Sequence, residues 1–374
     1  MNPLIFFTAF LGVFMLIHIY ISRRFIAHLD IKPAQKFYFR IFLLVNFFGI
    51  IGYMLGRYYI DFPNWLYFLF SLPIGVLFLL FCTAIIYDIS RAILKKTKLS
   101  KKRRDFFKRS LDISSLALAS TLSAKAIYNA SDIKLEKVEV NIKKLKKSYK
   151  IAQLSDIHIG GLIDKAFMKD MVQRVNALRV DLVVITGDLV DIEIKRARDI
   201  LAELGHLKST YGTFFVAGNH EYFHDIAKII QTLKGLDIRV LENENVYIGN
   251  EDEGFNLAGV YDVFGYRTNT YVPDINKALS TLKESPTVLL AHQPRYIDEV
   301  TDSVDLMLSG HTHGGQLFPF MFLVRLQQPY ISGLHQHNNE LQIYVNKGTG
   351  FWGPPMRLGA SSEITEITLV PSKL

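Results

Sequence analysis

One cysteine in 374 residues, Cys82, leaves this chain with neither a disulfide framework nor a cysteine-based zinc site. Acidic residues are scarce near the N-terminus: residues 1–130 hold 17 Lys and Arg against 5 Asp and Glu, whereas the remainder holds 26 against 30. The net charge of +8 therefore belongs to the N-terminal part. The part richest in polar motifs lacks a basic balance, so nucleic acid is not an expected partner. No repeat with a period of about 20–50 residues occurs, against a solenoid or propeller.

What the N-terminal part has instead is long apolar runs. Leu4 to Ile21 is almost wholly apolar, Ile41 to Tyr59 is interrupted only by Asn46 and Arg57, and Trp65 to Tyr87 carries no charge. Each is long enough to cross a hydrocarbon core of about 30 Å as a helix. Buried helices of a soluble domain would leave a polar face, and these runs have none. No basic residue precedes the first run, which argues against a cleaved signal peptide.

Arg23, Arg24, Lys32, Lys36 and Arg40 follow the first run, Arg57 and Asp61 mark the turn after the second, and a dense basic run from Lys95 to Arg109 follows the third. The positive-inside rule makes the first and last of these loops cytoplasmic and places the N-terminus outside. Residues 93–130 read as a basic loop followed by a doubtful segment, 111–128, that is long enough to cross but carries Asp112 and Lys125. Lys102-Arg103-Arg104-Asp105-Phe106-Phe107-Lys108 is similar to a twin-arginine export signal, although an ordinary stop-transfer loop is the simpler reading. A fourth crossing puts residues 131–374 outside the cytoplasm, in an integral membrane protein. The spans show no acidic, His or paired charged residue midway, so residues 1–92 are expected to anchor rather than transport.

From about residue 147 the pattern changes to short β-branched runs ending in polar, glycine-containing turns: Tyr149 to Ser155, Leu182 to Thr186, Thr213 to Ala217, Thr287 to Ala291 and Asp305 to Ser309. These read as buried strands, and helical stretches at Phe167 to Leu178 and Lys195 to Leu207 alternate with the first of them, giving α/β layers. Chemistry-bearing residues sit where the strands stop. Asp156-Ile157-His158 follows the first, and residues two apart on an extended chain face the same way. Gly187-Asp188-Leu189-Val190-Asp191 follows the second, with a glycine that lets backbone approach a bound ion. Gly218-Asn219-His220-Glu221, His292 and Gly310-His311-Thr312-His313-Gly314-Gly315-Gln316 complete the set. Each piece alone is ordinary turn sequence; their joint order is not.

That ordered set, D-x-H, G-D, G-N-H-E, H and G-H-x-H, is similar to the signature of the calcineurin-like metallophosphoesterase superfamily, especially a membrane-associated bacterial branch, over residues 137–374. The resemblance implies a four-layer αββα sandwich, α+β with α/β layers, behind an all-α transmembrane region. It further implies two divalent cations, Mn, Fe or Zn, one held by Asp156, His158 and His313, the other by Asn219, His292 and His311, with Asp188 bridging. An anionic bridge offsets repulsion between cations about 4 Å apart, and a hydroxide between them would attack phosphorus in line. His220, oriented by Asp191, is the expected acid for the leaving group, as in the family's protein phosphatases; the alternative has Asp191 capping a helix.

Arg357 reads as a substrate contact or a salt-bridge partner, His335-Gln336-His337 as solvated loop, and the aromatic-rich stretch Leu317 to Tyr330 as buried core in preference to a lipid-facing surface. The expected function is hydrolysis of a phosphoester or pyrophosphate bond in an amphiphilic, lipid-linked or envelope substrate. The competing readings are a catalytically inactive membrane sensor or scaffold and a transporter with a hydrolase appendage.

Overall fold

The computed structural model describes residues 3–60, 62–301 and 303–372. Asp61 lies outside them. The chain divides into two compact units, Met1–Tyr128 with Gly353–Met356, and Asn129–Trp352 with Arg357–Leu374.

The first unit is helical: α1 (Pro3–Tyr20), α2 (Pro33–Tyr58), α3 (Asn64–Lys96) and α4 (Lys101–Ala130). Three helices are long and apolar enough to cross a membrane, Phe7–His28, Pro33–Arg57 and Asn64–Lys96. The first runs seven residues past the expected end, because the chain continues from α1 through a π turn, Ile21–Phe25, and a 3₁₀ turn, Ile26–His28. Arg24, which looked like a boundary, pairs with Asp88 of α3 at 2.7 Å. With the span ending at His28, His18 falls near its middle, contrary to the expectation that no histidine lies midway. On α2 a glycine face meets α3: a Cβ at Gly52 would fall 2.7–2.9 Å from the Phe70 ring. Such small residues let membrane helices approach closely where no hydrophobic effect drives them together.

The basic run 101–109, expected as loop, is the first turns of α4. Asp112, the charge that cast doubt on this segment, is buried and satisfied. It accepts from Tyr87 Oη of α3, Lys108 Nζ and the Asp30 backbone N–H, each at 2.8 Å.

The second unit holds two six-stranded mixed sheets. The first comprises β1 (Lys134–Ile142), β2 (Tyr149–Leu154), β3 (Leu182–Thr186), β4 (Thr213–Val216), β5 (Ile238–Val240) and β12 (Glu363–Pro371), in the order β1-β12-β2-β3-β4-β5. The second comprises β6 (Glu244–Ile248), β7 (Phe255–Gly259), β8 (Thr287–Leu290), β9 (Leu306–Ser309), β10 (Gly333–Gln336) and β11 (Gln342–Val345), in the order β10-β11-β9-β8-β7-β6. His335 and Gln336 thus belong to a strand antiparallel to β11, not to a solvated loop. Strands β2 to β5 are mutually parallel, as are β7, β8, β9 and β11.

The strand period of two sorts their side chains between layers. Leu182 and Val184 of β3 join Leu257, Val288, Leu290 and Leu308 in a core between the sheets. Val183 and Ile185 point the other way, onto helices α5 (Lys165–Ala177), α6 (Ile194–Leu201) and α7 (Ile226–Lys234). Leu289, Met307 and Ile343 face a third core on the far side of the second sheet, with Ala278, Tyr296 and Ile297 from short helical turns. The result is the four-layer αββα sandwich. Each buried Leu, Ile or Val contributes roughly 1.5–3 kcal/mol by leaving water. Strands buried on both faces need continuous apolar sequence, which is why their runs show no alternation.

Candidate metal centre

The parallel strands of both sheets carry their ends to one edge, the usual site edge of an α/β layer. Asp156 and His158 follow β2, Asp188 follows β3, Asn219 follows β4, His292 follows β8, and His311 and His313 follow β9. Five of these seven have left-handed backbone: Asp156 (φ 50°), His158 (55°), Asp188 (50°), His311 (70°) and His313 (51°). The chain must turn sharply off each strand to aim these side chains across the edge, at a cost of about 1 kcal/mol or more per residue. Gly187 (φ 83°) is required for a related reason: a Cβ there would meet His292 Nδ1 at 2.6 Å and the Gly218 backbone at 2.7 Å. The close approach it permits is thus to a neighbouring imidazole and turn.

Two clusters result, Asp156 with His158 and His313, and Asp188 with His292 and His311. His158 Nε2 lies 3.0 Å from His313 Nε2, and His313 Nε2 lies 3.4 Å from Asp156 Oδ1. His292 Nε2 lies 3.2 Å from both His311 Nδ1 and Asp188 Oδ2. In each cluster the remaining nitrogen of one ring is tied down: His158 Nδ1 reaches Asp191 Oδ1 at 2.9 Å, and His292 Nδ1 donates to the Thr186 carbonyl at 2.7 Å. Those bonds orient the two rings so that each Nε2 faces into its cluster. Asn219 Oδ1 is buried without a hydrogen-bond partner. Imidazole nitrogens and carboxylate oxygens converge in each cluster, and Asn219 adds a buried amide oxygen without a partner, so the residues present fit two metal ions.

The electrostatics are mixed: burial opposes a charge on His292, but Asp188 beside it holds the ring well above its ordinary value, so a cation there has to displace a proton. Burial opposes the charge on Asp188, but His292, His220 and His158 around it hold its carboxyl well below the usual range. Burial pushes His311 down to about 3, with the charge of His292 adding to the effect. Desolvation, then the Arg357 guanidinium, holds His313 well below its ordinary value, which keeps it a neutral donor.

His220 and Asp191 are also brought together. His220 Nδ1 lies 2.5 Å from Asp191 Oδ1, its backbone N–H donates to Asp188 Oδ1 at 2.8 Å, and its Nε2 lies 3.8 Å from Asp188 Oδ2. Asp191 Oδ1 therefore serves two rings, His158 and His220, rather than capping a helix.

Arg357 is neither a substrate contact nor a salt-bridge partner. Its guanidinium is fully buried and donates to the carbonyls of His313 (2.9 Å) and Lys347 (2.8 Å) and to Gly350, with Nη2 3.2 Å from His313 Nδ1. It braces the loops that carry the last histidine. Glu221 was not singled out from the sequence, yet it accepts from the backbone N–H groups of Asp188 (3.0 Å), Leu189 (2.8 Å), Val190 (3.2 Å) and Gly218 (2.7 Å). One carboxylate thus joins the turns of two ligands. Burial pushes it up to about 7, Asp188 adding and the N–H donors opposing. Arg295, also missed, is an exposed cation close enough to act on His311; its only sequence signal was its place three residues after His292.

The stretch 317–330 is core only toward its ends, at Leu317, which is buried, and at Tyr330, which packs on the third core. Phe318, Phe320, Phe322, Leu323 and Leu326 are exposed, Leu326 by 80%. Gln316, just before them, exchanges two hydrogen bonds with the Trp352 backbone, and the half-exposed Trp352 ring lies 6.4 Å from His220.

A family model described as calcineurin-like phosphoesterase matches residues 149–315. A Helicobacter pylori protein, an uncharacterized metallophosphoesterase, is 39% identical over 368 residues, covering 97% of this chain and 98% of its own length. An uncharacterized metallophosphoesterase of Campylobacter jejuni is 34% identical and covers 99% of both chains. The similarity extends beyond bacteria: a Bos taurus transmembrane protein with metallophosphoesterase domain is 38% identical over 269 residues, 67% of this chain and 61% of that one.

Proposed function

Because this chain belongs to the calcineurin-like phosphoesterase family, we propose that it is a membrane-anchored hydrolase that cleaves a phosphoester or pyrophosphate bond of an amphiphilic substrate. The observation that carries the reading is the pair of histidine–carboxylate clusters, together with a buried Asn219 Oδ1 that has no hydrogen-bond partner. Asp156, His158 and His313 would hold one divalent cation and Asn219, His292 and His311 the other, with Asp188 as the bridge. The mixed oxygen and imidazole donors suit Mn, Fe or Zn. When bound, such ions activate water near neutral pH and offset charge on phosphoryl oxygens.

The remaining work falls to the chain. His220 holds a proton at Nε2 and delivers it to the leaving-group oxygen, while Asp191, on Nδ1, fixes the ring orientation and favours the charged form. Glu221 holds the Asp188 and Asn219 turns at a fixed spacing. Arg295 offers a cation at the rim for a phosphate oxygen. The exposed apolar side chains from Phe318 to Leu326, with Trp352, support a substrate with an apolar tail.

The catalytic unit is placed outside the cytoplasm, with α4 as a fourth crossing. Support comes from the satisfied state of Asp112 and from the buried stripe Asp112, Ser115, Ala119, Ala126 and Ala130 along α4. Its small side chains suit close helix packing in lipid.

The deciding experiment uses the full chain in detergent, loaded with Mn²⁺, on an aryl phosphomonoester, an aryl phosphodiester and a pyrophosphate ester. Metal-dependent turnover of at least one, lost by roughly a thousandfold or more in Asp188→Asn, is expected. A protein shown to carry two equivalents of metal but inert on all three would sink the proposal.

A further inference from the structure

We propose that the apolar rim of the second unit, Phe318 to Leu326 with Trp352, enters the lipid bilayer as a surface-inserted element, separate from the membrane-spanning helices. The exposed Phe318, Phe320, Phe322, Leu323 and Leu326 succeed one another along one short stretch, whereas apolar residues left on a water-facing surface are usually scattered singly. The helical turn Met321–Val324 within it has no buried residue. Its backbone is suited to leaving water. The N–H groups of Phe322, Leu323, Arg325 and Leu326 donate to the carbonyls of Pro319 (3.1 Å), Phe320 (2.9 Å), Met321 (3.1 Å) and Leu323 (3.1 Å), and Pro319 has no N–H to satisfy. Lipid tolerates a backbone whose donors are paired within the segment. Arg325 is the one charged residue of the stretch, and its long stem lets the guanidinium stay among headgroup phosphates while its neighbours sink.

What covers this surface is indicated by the chain that follows Trp352. Gly353–Met356 groups with the membrane helices and not with the sheets. Within that helical unit a Cβ on Gly75 of α3 would meet Met356 Sδ, and Pro354 Cβ at 3.4 Å, while a Cβ on Gly353 would lie 3.7 Å from Tyr53 Oη of α2. Gly75 falls inside the charge-free run Trp65 to Tyr87, so this segment packs at the depth of hydrocarbon. Pro354 and Pro355 bring no N–H there, and the Met356 N–H donates to the Pro354 carbonyl at 2.7 Å, which suits a non-helical segment among spans. Trp352 is one peptide bond from Gly353, and its backbone is the part that Gln316 holds by two hydrogen bonds. The exposed stretch is thereby tied at both Gln316 and Trp352 to a segment that packs among the spans. Contact with a second copy of the chain would need no such continuity.

The Trp352 ring also lies 6.4 Å from His220. Insertion of the rim therefore brings the mouth of the candidate metal centre to the level of the lipid headgroups. That a phosphate is taken from there rests on the hydrolase reading above; the insertion itself does not.

Spin-label accessibility in the full chain reads insertion without any turnover, so its failure and the failure of the hydrolase reading are separate results. With the single cysteine removed by Cys82→Ala, a nitroxide is attached at Leu326→Cys or Phe322→Cys, and at the exposed Glu251→Cys as a water-facing control. The protein is held in vesicles of phosphatidylcholine and phosphatidylglycerol, where oxygen concentrates in lipid and a nickel chelate in water. The expected oxygen-to-nickel collision ratio is severalfold higher at 326 and 322 than at 251. Ratios equal to that at 251 leave the surface in water and overturn the proposal. Low collision with both reagents means that protein, such as a second copy, covers the surface, and overturns it equally.

Discussion

Asp191 is the residue on which the chemistry of the site is most finely divided. Its Oδ1 lies 2.9 Å from His158 Nδ1 and 2.5 Å from His220 Nδ1, so one oxygen orients a proposed metal ligand and the proposed acid together. Loss of the His158 bond would weaken metal binding by roughly 10- to 100-fold, whereas loss of the His220 bond would slow leaving-group protonation by about 10²- to 10⁴-fold. Asp191→Asn, assayed at saturating metal, should therefore keep its metal and its KM while kcat falls by about 100-fold or more. Recovery of full kcat by added metal alone would assign Asp191 to the ligand and remove His220 from the mechanism. The two histidines and this aspartate were legible in sequence because each follows a strand end within a recognisable motif. The bracing roles of Glu221 and Arg357 were not, because their partners are backbone groups from loops far apart in the chain, and no spacing rule encodes such a meeting.

At the scale of elements, β2, β3, β4, β8 and β9 were readable to within a residue or so at either end, since strands buried on both faces are written as unbroken apolar runs. Strand β1 was not read: Lys134-Leu135-Glu136-Lys137-Val138-Glu139-Val140 alternates charge with apolar side chains, and its pairing with β12 is parallel and distant in sequence. At the start of β9, away from the ligands, Asp305 Oδ2 accepts the Thr287 N–H of β8 at 2.8 Å. Burial raises the Asp305 carboxyl above its ordinary value of 3.8, with the Thr287 N–H opposing. A carboxyl raised on folding contributes stability that is fully present below its unfolded value and is lost as pH rises through the folded one. Asp305→Asn keeps the acceptor without the charge, so its melting temperature should gain on the wild type as pH is raised from about 3.5 to 7. A difference constant across that range would refute this account.

At the scale of the molecule, membrane attachment was plain from three apolar runs, but where the first span ends was not. Arg23 and Arg24 look like a boundary in sequence, whereas the helix carries on through a π turn and pairs Arg24 with Asp88. The side proposed for the second unit depends on whether α4 crosses. If α4 crosses, protease added to intact cells should cut within residues 131–374 and spare the basic segment 95–109; cleavage of that unit only after permeabilisation would place it in the cytoplasm.

The left-handed backbone at Asp156, His158, Asp188, His311 and His313 also bears on how such a chain could change over time. Each position carries conformational strain that glycine would relieve, so the proposed metal site and foldedness pull in opposite directions there. Asp188→Gly should melt at a higher temperature than Asp188→Ala, although both lose the proposed bridging carboxylate. A lineage released from its reaction would drift downhill toward glycine at these five turns, and this chain, with none of them replaced, still bears the full cost of keeping its ligands.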